Sequence, residues 1–318
     1  MNPWYPLRFQ PLLRRYLWGG HRLQTLLGKN IGEEACAESW EIVDRGADQS
    51  VVINGPLTGW TLHQLITRHG PEMLGRHHPR DRFPLLLKYL DCQQDLSVQV
   101  HPNDQQAAKL DPPDLGKTEA WVVLHADPDS RIYAGLKSGV DRQHLEECIG
   151  AGRVTECLHS FPPKVGDCVF IPAGTVHALG AGLVVAEIQQ ASDTTFRLYD
   201  WNRVGPDGRP RTLHVPQALQ VIDYEIGPVS PQPAPAPDGP AIQRLVACDK
   251  FLLDRRVFDT THRLGEGDCL HLLAVVGGRF SVADTTLKPG DVMLLPAAAD
   301  GIRCQPMDRA VVLDITLP

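Results

Sequence analysis

Short apolar runs that end at proline or glycine recur along the whole chain and predict a protein built mainly of β-strands. The run Cys168–Ile171, for example, follows Gly166 and stops at Pro172. Proline and glycine mark the ends of strands, and apolar runs of about four to eight residues between them are typical of β structure. The chain has 27 prolines and 28 glycines among 318 residues, which allows many such turns.

Helical patterns are few, and all of them precede residue 227. We predict helices over Leu62–His69, Asp104–Leu110, Gly139–Ile149 and Val215–Ile222. Thr61 and Asn103 stand directly before the first two, where a short oxygen-bearing side chain can cap the first free N–H groups. The sequence therefore predicts a mainly β protein with helical insertions in its first part.

A proline-rich segment at residues 227–241 predicts a division of the chain. It holds six prolines and no apolar periodicity, which is typical of an extended, semi-rigid linker. We predict one domain over residues 1–226 and a smaller one over residues 242–318. Strand-like runs in the smaller part are Phe251–Phe258, Cys269–Val276, Arg279–Val282, Val292–Leu295 and Ala310–Ile315.

A weak internal repeat links the two parts. Val165–Ala173 resembles Pro289–Ala297, with glycine, aspartate, proline and alanine at the same spacing. Where the first copy continues to His177, the second has Gly301. The repeat predicts two similar barrels, of which only the first carries chemistry.

Polar side chains alternate with apolar ones on three strand-like segments of the first part. Gln99 and His101 share one face of a strand, because side chains two residues apart point the same way. Lys117 and Glu119 share a face of the next segment, and a buried carboxylate of this kind needs a partner or a metal. Asp193, Thr195, Arg197 and Tyr199 repeat the pattern on a later segment.

These segments predict a metal site inside a barrel. One cavity can gather four ligands: Gln99, His101, Glu119 and His177. Two imidazoles, a carboxylate and an amide oxygen suit Zn²⁺, and also Fe²⁺, Mn²⁺ or Co²⁺. Lys117, Asp193 and Arg197 are predicted to surround the ion. A single histidine would more often belong to the surface or a satisfied core, so the prediction depends on the joint pattern.

Charge and cysteine content limit the possible partners. The formal net charge of −7 argues against nucleic acid as a partner, since such proteins need a basic surface. No signal peptide is visible, and no apolar run of about 18 residues could cross a membrane. None of the eight cysteines forms a Cys-x-x-Cys pair. We therefore expect a cytoplasmic protein with reduced thiols and no membrane partner.

Several of these strings also resemble a known family. Gly166-x5-Pro172-x-Gly174-x2-His177 is similar to the second conserved motif of cupins. The fuller set resembles the short bacterial form of the type I phosphomannose isomerases, from about residue 5 to 225. Its segments are Trp18–Gly20, Glu38–Glu41, Pro84–Lys88, Gln99–Asp104, Gly116–Glu119, Ile171–Ala178 and Ser192–Asp200.

The resemblance implies a fold of two tandem cupin (jelly-roll) barrels, the second degenerate and without metal ligands. It implies interconversion of D-mannose 6-phosphate and D-fructose 6-phosphate through a cis-enediol(ate). One Zn²⁺ per chain would be bound by the four ligands named above, although other divalent ions remain open. Arg197 would be the catalytic arginine, and Lys117 would line the sugar-phosphate site.

Other points stay open at this level. The proton shuttle is Asp193, a water on the metal or a nearby histidine. A two-histidine, one-carboxylate site would also serve an iron-dependent cupin dioxygenase, and a sugar-binding cupin without activity is a further alternative. Lys117 and Arg197 beside the metal favour a small phosphorylated sugar as substrate. We expect a monomer or a weak homodimer.

Overall fold

The computed structural model describes residues 4–205, 208–235, 239, 241–265, 267–282, 285–299 and 301–318. The chain forms two compact units. The terminal unit comprises Met1–Arg14, His21–Tyr89 and Pro235–Pro318, and the central unit comprises Arg15–Gly20 and Leu90–Ala234.

The described elements are mostly short strands. The strands are β1 (Phe9–Gln10), β2 (Leu12–Arg14), β3 (Glu38–Ile42), β4 (Asp44–Arg45), β5 (Asp48–Gln49), β6 (Val51–Val52), β7 (Leu85–Cys92), β8 (Val98–Val100), β9 (Glu119–Ala126), β10 (Ile132–Leu136), β11 (Leu158–Phe161), β12 (Cys168–Ile171), β13 (His177–Leu179), β14 (Leu183–Gln190), β15 (Phe196–Tyr199), β16 (Ile242–Ala247), β17 (Leu252–Phe258), β18 (His262–Leu264), β19 (His271–Gly277), β20 (Phe280–Val282), β21 (Thr285–Leu287), β22 (Val292–Leu295), β23 (Ile302–Pro306) and β24 (Ala310–Thr316). The helices are α1 (Arg22–Leu27), α2 (Leu62–Arg68), α3 (Gly70–Leu74), α4 (Asp104–Ala107), α5 (Arg142–Gly150) and α6 (Val215–Val221), with 3₁₀ turns at Gly75–His77 and Val154–Cys157.

Two antiparallel sheets make the barrel of the central unit. One has the strand order β11-β10-β13-β8-β15, and in the other β12, β9 and β14 lie side by side. An apolar core fills the space between the first sheet, α5 and α6, and it includes Val98, Val100, Leu145 and Leu219. Burial of these side chains is the main force that holds the sheet and helices together.

The terminal unit contains a second pair of antiparallel sheets. Their strand orders are β16-β17-β24-β19-β22 and β18-β23-β20-β21. Phe258, Phe280, Leu295 and Val312 lie in the apolar core of these strands and are almost fully buried. The unit also contains β2 and β3, which pair with each other, and the helices α1 to α3.

The structure confirms a mainly β fold with helical insertions in the first part of the chain. All described helices lie between residues 22 and 221. Thr61 and Asn103 are N-caps, and each takes part in a reciprocal capping box. The helix predicted over residues 139–149 begins later, because Gly139 has a positive φ and Asp141 is the N-cap. The short helices α1 and α3 have weak periodicity and were not predicted.

The predicted domain boundaries follow the linear order of the chain, whereas the compact units do not. The predicted linker at 227–241 contributes to both units, and its residues 236–238 and 240 lie outside the described residues. Gln232 in this segment exchanges two backbone hydrogen bonds of 2.8 Å with Cys168. The division at 1–226, 227–241 and 242–318 stays a prediction. Among the described residues, no helix is long and apolar enough to cross a membrane.

Candidate metal centre

The predicted histidines lie at the ends of two neighbouring strands of the central unit. His101 directly follows β8, and His177 is the first residue of β13. Gln99 on β8 stands opposite His177 on one side and opposite Arg197 of β15 on the other. Directly opposed residues in a sheet share a face. The register therefore places His177, Gln99 and Arg197 in one row on one face.

The Pro-x-Gly turn ties the two histidine segments together. Gly174 has a φ of +89°, a conformation that suits glycine, and a Cβ there would lie 2.9 Å from the side chain of Asp223. Its N–H donates to the carbonyl oxygen of His101 at 2.9 Å. The glycine in the motif is thus explained by backbone geometry, and it holds His177 near His101.

Glu119 enters the same site from the other sheet. It is the first residue of β9, pairs in register with Ile171, and is fully buried. Its Oε1 lies 3.2 Å from Nε2 of His177, and its Oε2 lies 3.6 Å from Nε2 of His101. One ligand atom from each of these three residues lies within 4.8 Å of the other two, and all three residues are buried.

Backbone carbonyls fix the orientation of both imidazole rings. Nδ1 of His101 lies 2.9 Å from the carbonyl oxygen of Thr194, and Nδ1 of His177 lies 2.9 Å from that of Thr175. A carbonyl oxygen only accepts, so each Nδ1 carries the hydrogen and each neutral ring has its lone pair on Nε2. Metal-bound histidines are oriented in this way by their outer nitrogen. No sequence pattern predicts this role for the two threonine carbonyls.

The donor set fits a divalent cation. Two Nε2 lone pairs and a carboxylate converge in a buried space, where they need a positive charge among them. Burial lowers the pKa of His177 to about 4, so this imidazole is neutral and free to act as a ligand at working pH. Neutral imidazole and carboxylate ligands suit Zn²⁺ and several first-row metals, and the geometry of three residues does not select among them.

Lys117 supplies a positive charge to the same donors. Its Nζ lies 2.9 Å from Oε2 of Glu119 and 3.0 Å from Nε2 of His101. Lys117 lies just before β9 rather than on it, yet its side chain reaches the predicted group of metal ligands. The structure thus brings together Lys117, Glu119 and both histidines, as the alternation predicted.

Gln99 lies at the edge of this group. Its Nε2 is 3.3 Å from Nε2 of His177. The two ends of an amide have nearly the same shape, so a half-turn would direct Oε1 to the same place. The side chain is therefore within reach of the donor set, and its role as a fourth ligand stays a prediction.

Arg197 stands opposite Gln99 in the sheet and is half-buried on β15. Its Nε donates to Oγ of Ser97 at 3.3 Å, and its Nη1 donates to the carbonyl of Thr212 at 2.9 Å. Burial first, and the charge of Arg211 second, lower the pKa of this guanidinium. Arg203 and Arg211 both pair with Asp200. Among the described residues, three guanidinium groups thus gather around the carboxylate of Asp200, which makes this edge of the unit more positive.

Asp193 differs most from the predicted pattern. The alternation predicts it on the same strand as Arg197, but β15 begins only at Phe196, and Asp193 is exposed in the segment before it. The neighbouring carbonyl of Thr194 turns inward to His101, which takes this backbone out of the β ladder. Asp193 therefore lies beside a residue that orients a candidate ligand, without being part of the buried group itself.

A second buried carboxylate was not identified from the sequence. Oε2 of Glu187 on β14 accepts a hydrogen bond of 3.0 Å from Nε1 of Trp121. The ring of Trp121 meets the ring of His177 edge-on, with centroids 5.3 Å apart. Glu187 is the one acidic residue in the otherwise largely apolar run Leu183–Gln190. An acidic side chain in such a run was the signal that could have identified it.

Comparisons with known proteins agree with this geometry. The model of the type I phosphomannose isomerase catalytic domain matches residues 7–115. A mannose-6-phosphate isomerase of Bacillus subtilis is 40% identical over 218 residues, which cover 69% of this chain and 68% of that protein. The chain belongs to the type I phosphomannose isomerase family. The resemblance read from the sequence is thereby confirmed.

Further relatives of this family extend the match. A mannose-6-phosphate isomerase of Streptococcus mutans is 39% identical over 217 residues, covering 68% of this chain and 67% of that protein. The crystal structure of the mannose 6-phosphate isomerase from Bacillus subtilis superposes with a TM-score of 0.87 at 30% identity, covering 98% of this chain and 99% of that one. The family fold therefore extends over the described parts of both units, including the region after residue 225 where the sequence resemblance was weak.

Proposed function

We propose that this chain is a metal-dependent aldose–ketose isomerase that interconverts D-mannose 6-phosphate and D-fructose 6-phosphate. One observation carries the proposal: in a member of this family, two oriented imidazoles and a buried carboxylate converge, and an arginine lies in the same row of the sheet as His177. The relatives at about 40% identity bear the name of this activity. A cytoplasmic location and a monomeric or weakly dimeric state belong to the same proposal.

We assign Zn²⁺ to the donors His101, Glu119 and His177, with Gln99 as the fourth ligand. When bound, the ion would act as a Lewis acid that polarises the sugar oxygens at C1 and C2 and so acidifies the C2 proton. The protein contributes a rigid and dry donor set, because the carbonyls of Thr175 and Thr194 fix both rings.

Arg197 stabilises the negative charge that develops when C2 loses its proton. It stands one strand away from Gln99 in the same row, and guanidinium remains charged at any working pH. Fixed donors aimed at developing charge contribute most in a site screened from water. The positive edge formed with Arg203 and Arg211 favours an anionic substrate such as a sugar phosphate.

We propose that Lys117 binds the substrate and that Asp193 transfers the proton. The ammonium of Lys117 can donate to a sugar oxygen while it remains paired with Glu119. Asp193 is the candidate that carries a proton between C2 and C1, since it is a carboxylate beside the site. If so, Asp193→Asn lowers kcat and the incorporation of solvent deuterium at C1 by about 100-fold, with metal content unchanged. Unaltered exchange would remove Asp193 from this role.

A coupled assay for fructose 6-phosphate tests the proposed activity. The purified protein is supplied with mannose 6-phosphate before chelation, after chelation, and after Zn²⁺ is returned. We expect turnover, loss of turnover and recovery, in that order. Oxygen uptake without ketose formation would instead indicate a dioxygenase, and saturable sugar binding without turnover would indicate a binding protein.

Two histidine variants separate the metal centre from a general loss of folding. His101→Asn removes a proposed ligand and should lower both metal content and activity. His125→Asn is the matched control, because His125 lies on β9 beyond the site and pairs with Asp127 at 3.0 Å. Equal activity in the two variants would contradict the assigned ligands.

A further inference from the structure

A second group of metal-binding side chains lies on α5 and the 3₁₀ turn that follows it. His144 and Cys148 are four residues apart on α5, so they share one face of the helix. Cys157 ends the turn Val154–Cys157. One ligand atom from each of the three residues lies within 4.8 Å of the other two. None of the three belongs to the donor set around Glu119.

The backbone around this group is well anchored. The side chain of Asp141 accepts the N–H of His144 at 2.8 Å and caps the helix. The carbonyl of Cys148 accepts from Arg153 at 2.8 Å, and that of Cys157 accepts from Lys137 at 2.8 Å. Each ligand-bearing residue is thus held by a hydrogen bond of its own. A ligand set with a fixed backbone loses less entropy when it binds an ion.

The group has a buried side and an open side. Cys148 and Cys157 are at most 2% exposed and pack in the apolar core, whereas His144 is exposed at the surface. An ion could therefore reach the thiols from the side of His144. Three protein ligands and solvent in the remaining position match an open tetrahedral site.

We propose that His144, Cys148 and Cys157 form a second cation site, specific for a soft divalent ion of the Zn²⁺ or Cd²⁺ type. Two sulfur donors and one imidazole favour such ions over Mn²⁺ or Mg²⁺. The site around Glu119 has nitrogen and oxygen donors only, so the two sites differ in their preference. A bound ion would join α5 to the turn after it. The proposal does not depend on the isomerase activity.

Titration of the reduced, purified holoenzyme with Cd²⁺ alone tests the proposal. Binding to thiolates gives a sulfur-to-metal charge-transfer band in the ultraviolet, which the nitrogen and oxygen donors of the other site cannot produce. We expect one such Cd²⁺ per chain. The band is lost in Cys148→Ser and Cys157→Ser, and isomerase activity before Cd²⁺ addition is unchanged in both.

Two further variants keep the test independent of folding defects. His144→Asn changes an exposed side chain, and we expect it to weaken Cd²⁺ binding at least about tenfold, as even the loss of outer-shell partners does. Cys168→Ser removes a buried thiol elsewhere in the same unit and should leave the band intact. His21→Asn is the matched control for an exposed histidine.

Three results would overturn the proposal. The first is a reduced holoenzyme without a charge-transfer band. The second is a band that is lost in Cys168→Ser or kept in Cys157→Ser. The third is Cd²⁺ binding to His144→Asn that is as tight as binding to the unaltered protein, since the imidazole would then not be a ligand.

Discussion

The turn and strand of the internal repeat occur in both units, but the side chains around them make different interactions. Gly166 of the central unit and Gly290 of the terminal unit have φ values of +90° and +92°. The aspartate after each glycine accepts a hydrogen bond from the backbone N–H three residues before it, at 2.8 Å for Asp167 and 3.0 Å for Asp291. The repeat read from the sequence is therefore a repeat of structure.

The strand register shows which positions correspond. Ile171 of β12 stands opposite Glu119, and Leu295 of β22, its counterpart in the repeat, stands opposite His271. His271 of the terminal unit thus occupies the position that Glu119, a candidate metal ligand, has in the central unit. On the next strand, Asp314 occupies the position that Glu187 has in the central unit.

Two of the other ligand positions are glycines in the terminal unit. Gly301 takes the place of His177 in the repeat, and the pairing of Leu264 with Ile302 sets Gly265 opposite Gly301. Gly265 thus corresponds to Gln99. A glycine has no side-chain donor, so Gly265 and Gly301 cannot bind an ion as Gln99 and His177 could. That the terminal unit lacks a metal site stays a prediction.

In the terminal unit, the buried carboxylate of Asp314 is paired with side chains of the same unit. Nδ1 of His271 lies 2.9 Å from Oδ1 of Asp314, and Nε of Arg256 lies 2.6 Å from Oδ2 of the same carboxylate. Burial lowers the pKa of His271, but hydrogen bonds to Asp314 and to Cys269 outweigh it and raise the pKa to about 10. The comparison teaches that one scaffold holds either a set of candidate metal ligands or an internal ion pair, depending on a few side chains.

His177→Gly tests the comparison most severely, because it gives the central unit the residue of the terminal unit. We expect the metal content to fall and kcat/KM to drop by at least about 1,000-fold, since a bound metal contributes several kcal/mol. Elemental analysis and the coupled isomerase assay measure the two effects. Full activity in a metal-depleted His177→Gly protein would contradict the assignment of the site.

Arg197→Gln is expected to affect catalysis alone. The loss of one fixed donor for developing charge lowers kcat by about 100- to 1,000-fold. Metal content should equal that of the unaltered protein, because Arg197 is not among the donors. A rise in KM with kcat unchanged would show that Arg197 only binds substrate.

His271→Gln is expected to lower stability without lowering metal content. Loss of a hydrogen bond to a buried charge costs about 1.5–3 kcal/mol at neutral pH or below. The pKa of His271 is higher in the folded state than its ordinary value near 6.5, so its stabilisation is complete below that value. It declines as the pH rises and is lost above about 10.

Urea unfolding of His271→Gln and the unaltered protein across this pH range gives the measurement. The difference in unfolding free energy should shrink from pH 6.5 to 10. A difference that stays constant would indicate that packing, rather than the charge on His271, is what the variant loses.

The two turn glycines should differ in their tolerance of alanine. Both have a positive φ, where alanine costs about 1 kcal/mol or more. A Cβ on Gly290 would also lie 2.2 Å from the carbonyl oxygen of Leu27, whereas one on Gly166 would meet the methyl group of Ala234 at 2.6 Å. We expect Gly290→Ala to be the more destabilising variant in thermal melting, and equal melting temperatures would contradict this.

Much of the fold and site could be predicted because the signals are local. The Pro-x-Gly turn, the alternation around Gln99 and His101, and the N-caps each depend on neighbouring residues. The same signals predicted that Lys117, Glu119 and His177 lie close together, as they do in the structure.

What escaped prediction depends on long-range contacts. The sequence does not show that the carbonyls of Thr175 and Thr194 orient the imidazoles, because any residue has a carbonyl. Glu187 was missed because its hydrogen bond to Trp121 joins two strands. Asp193 was placed on a strand because alternation alone does not reveal where a ladder ends.

The terminal unit includes segments from both halves of the sequence, and this has a consequence for synthesis. Leu7 exchanges two backbone hydrogen bonds, of 2.8 and 2.9 Å, with Leu294. At ordinary ribosomal speed, roughly 15 to 60 s separate the translation of these two residues. Throughout that interval Leu7 waits for its partner, although β1 and β2 meet theirs early, and most of the central unit emerges in a single stretch. The backbone groups of Leu7 are therefore open to other binding partners for longer than those of β1 or β2.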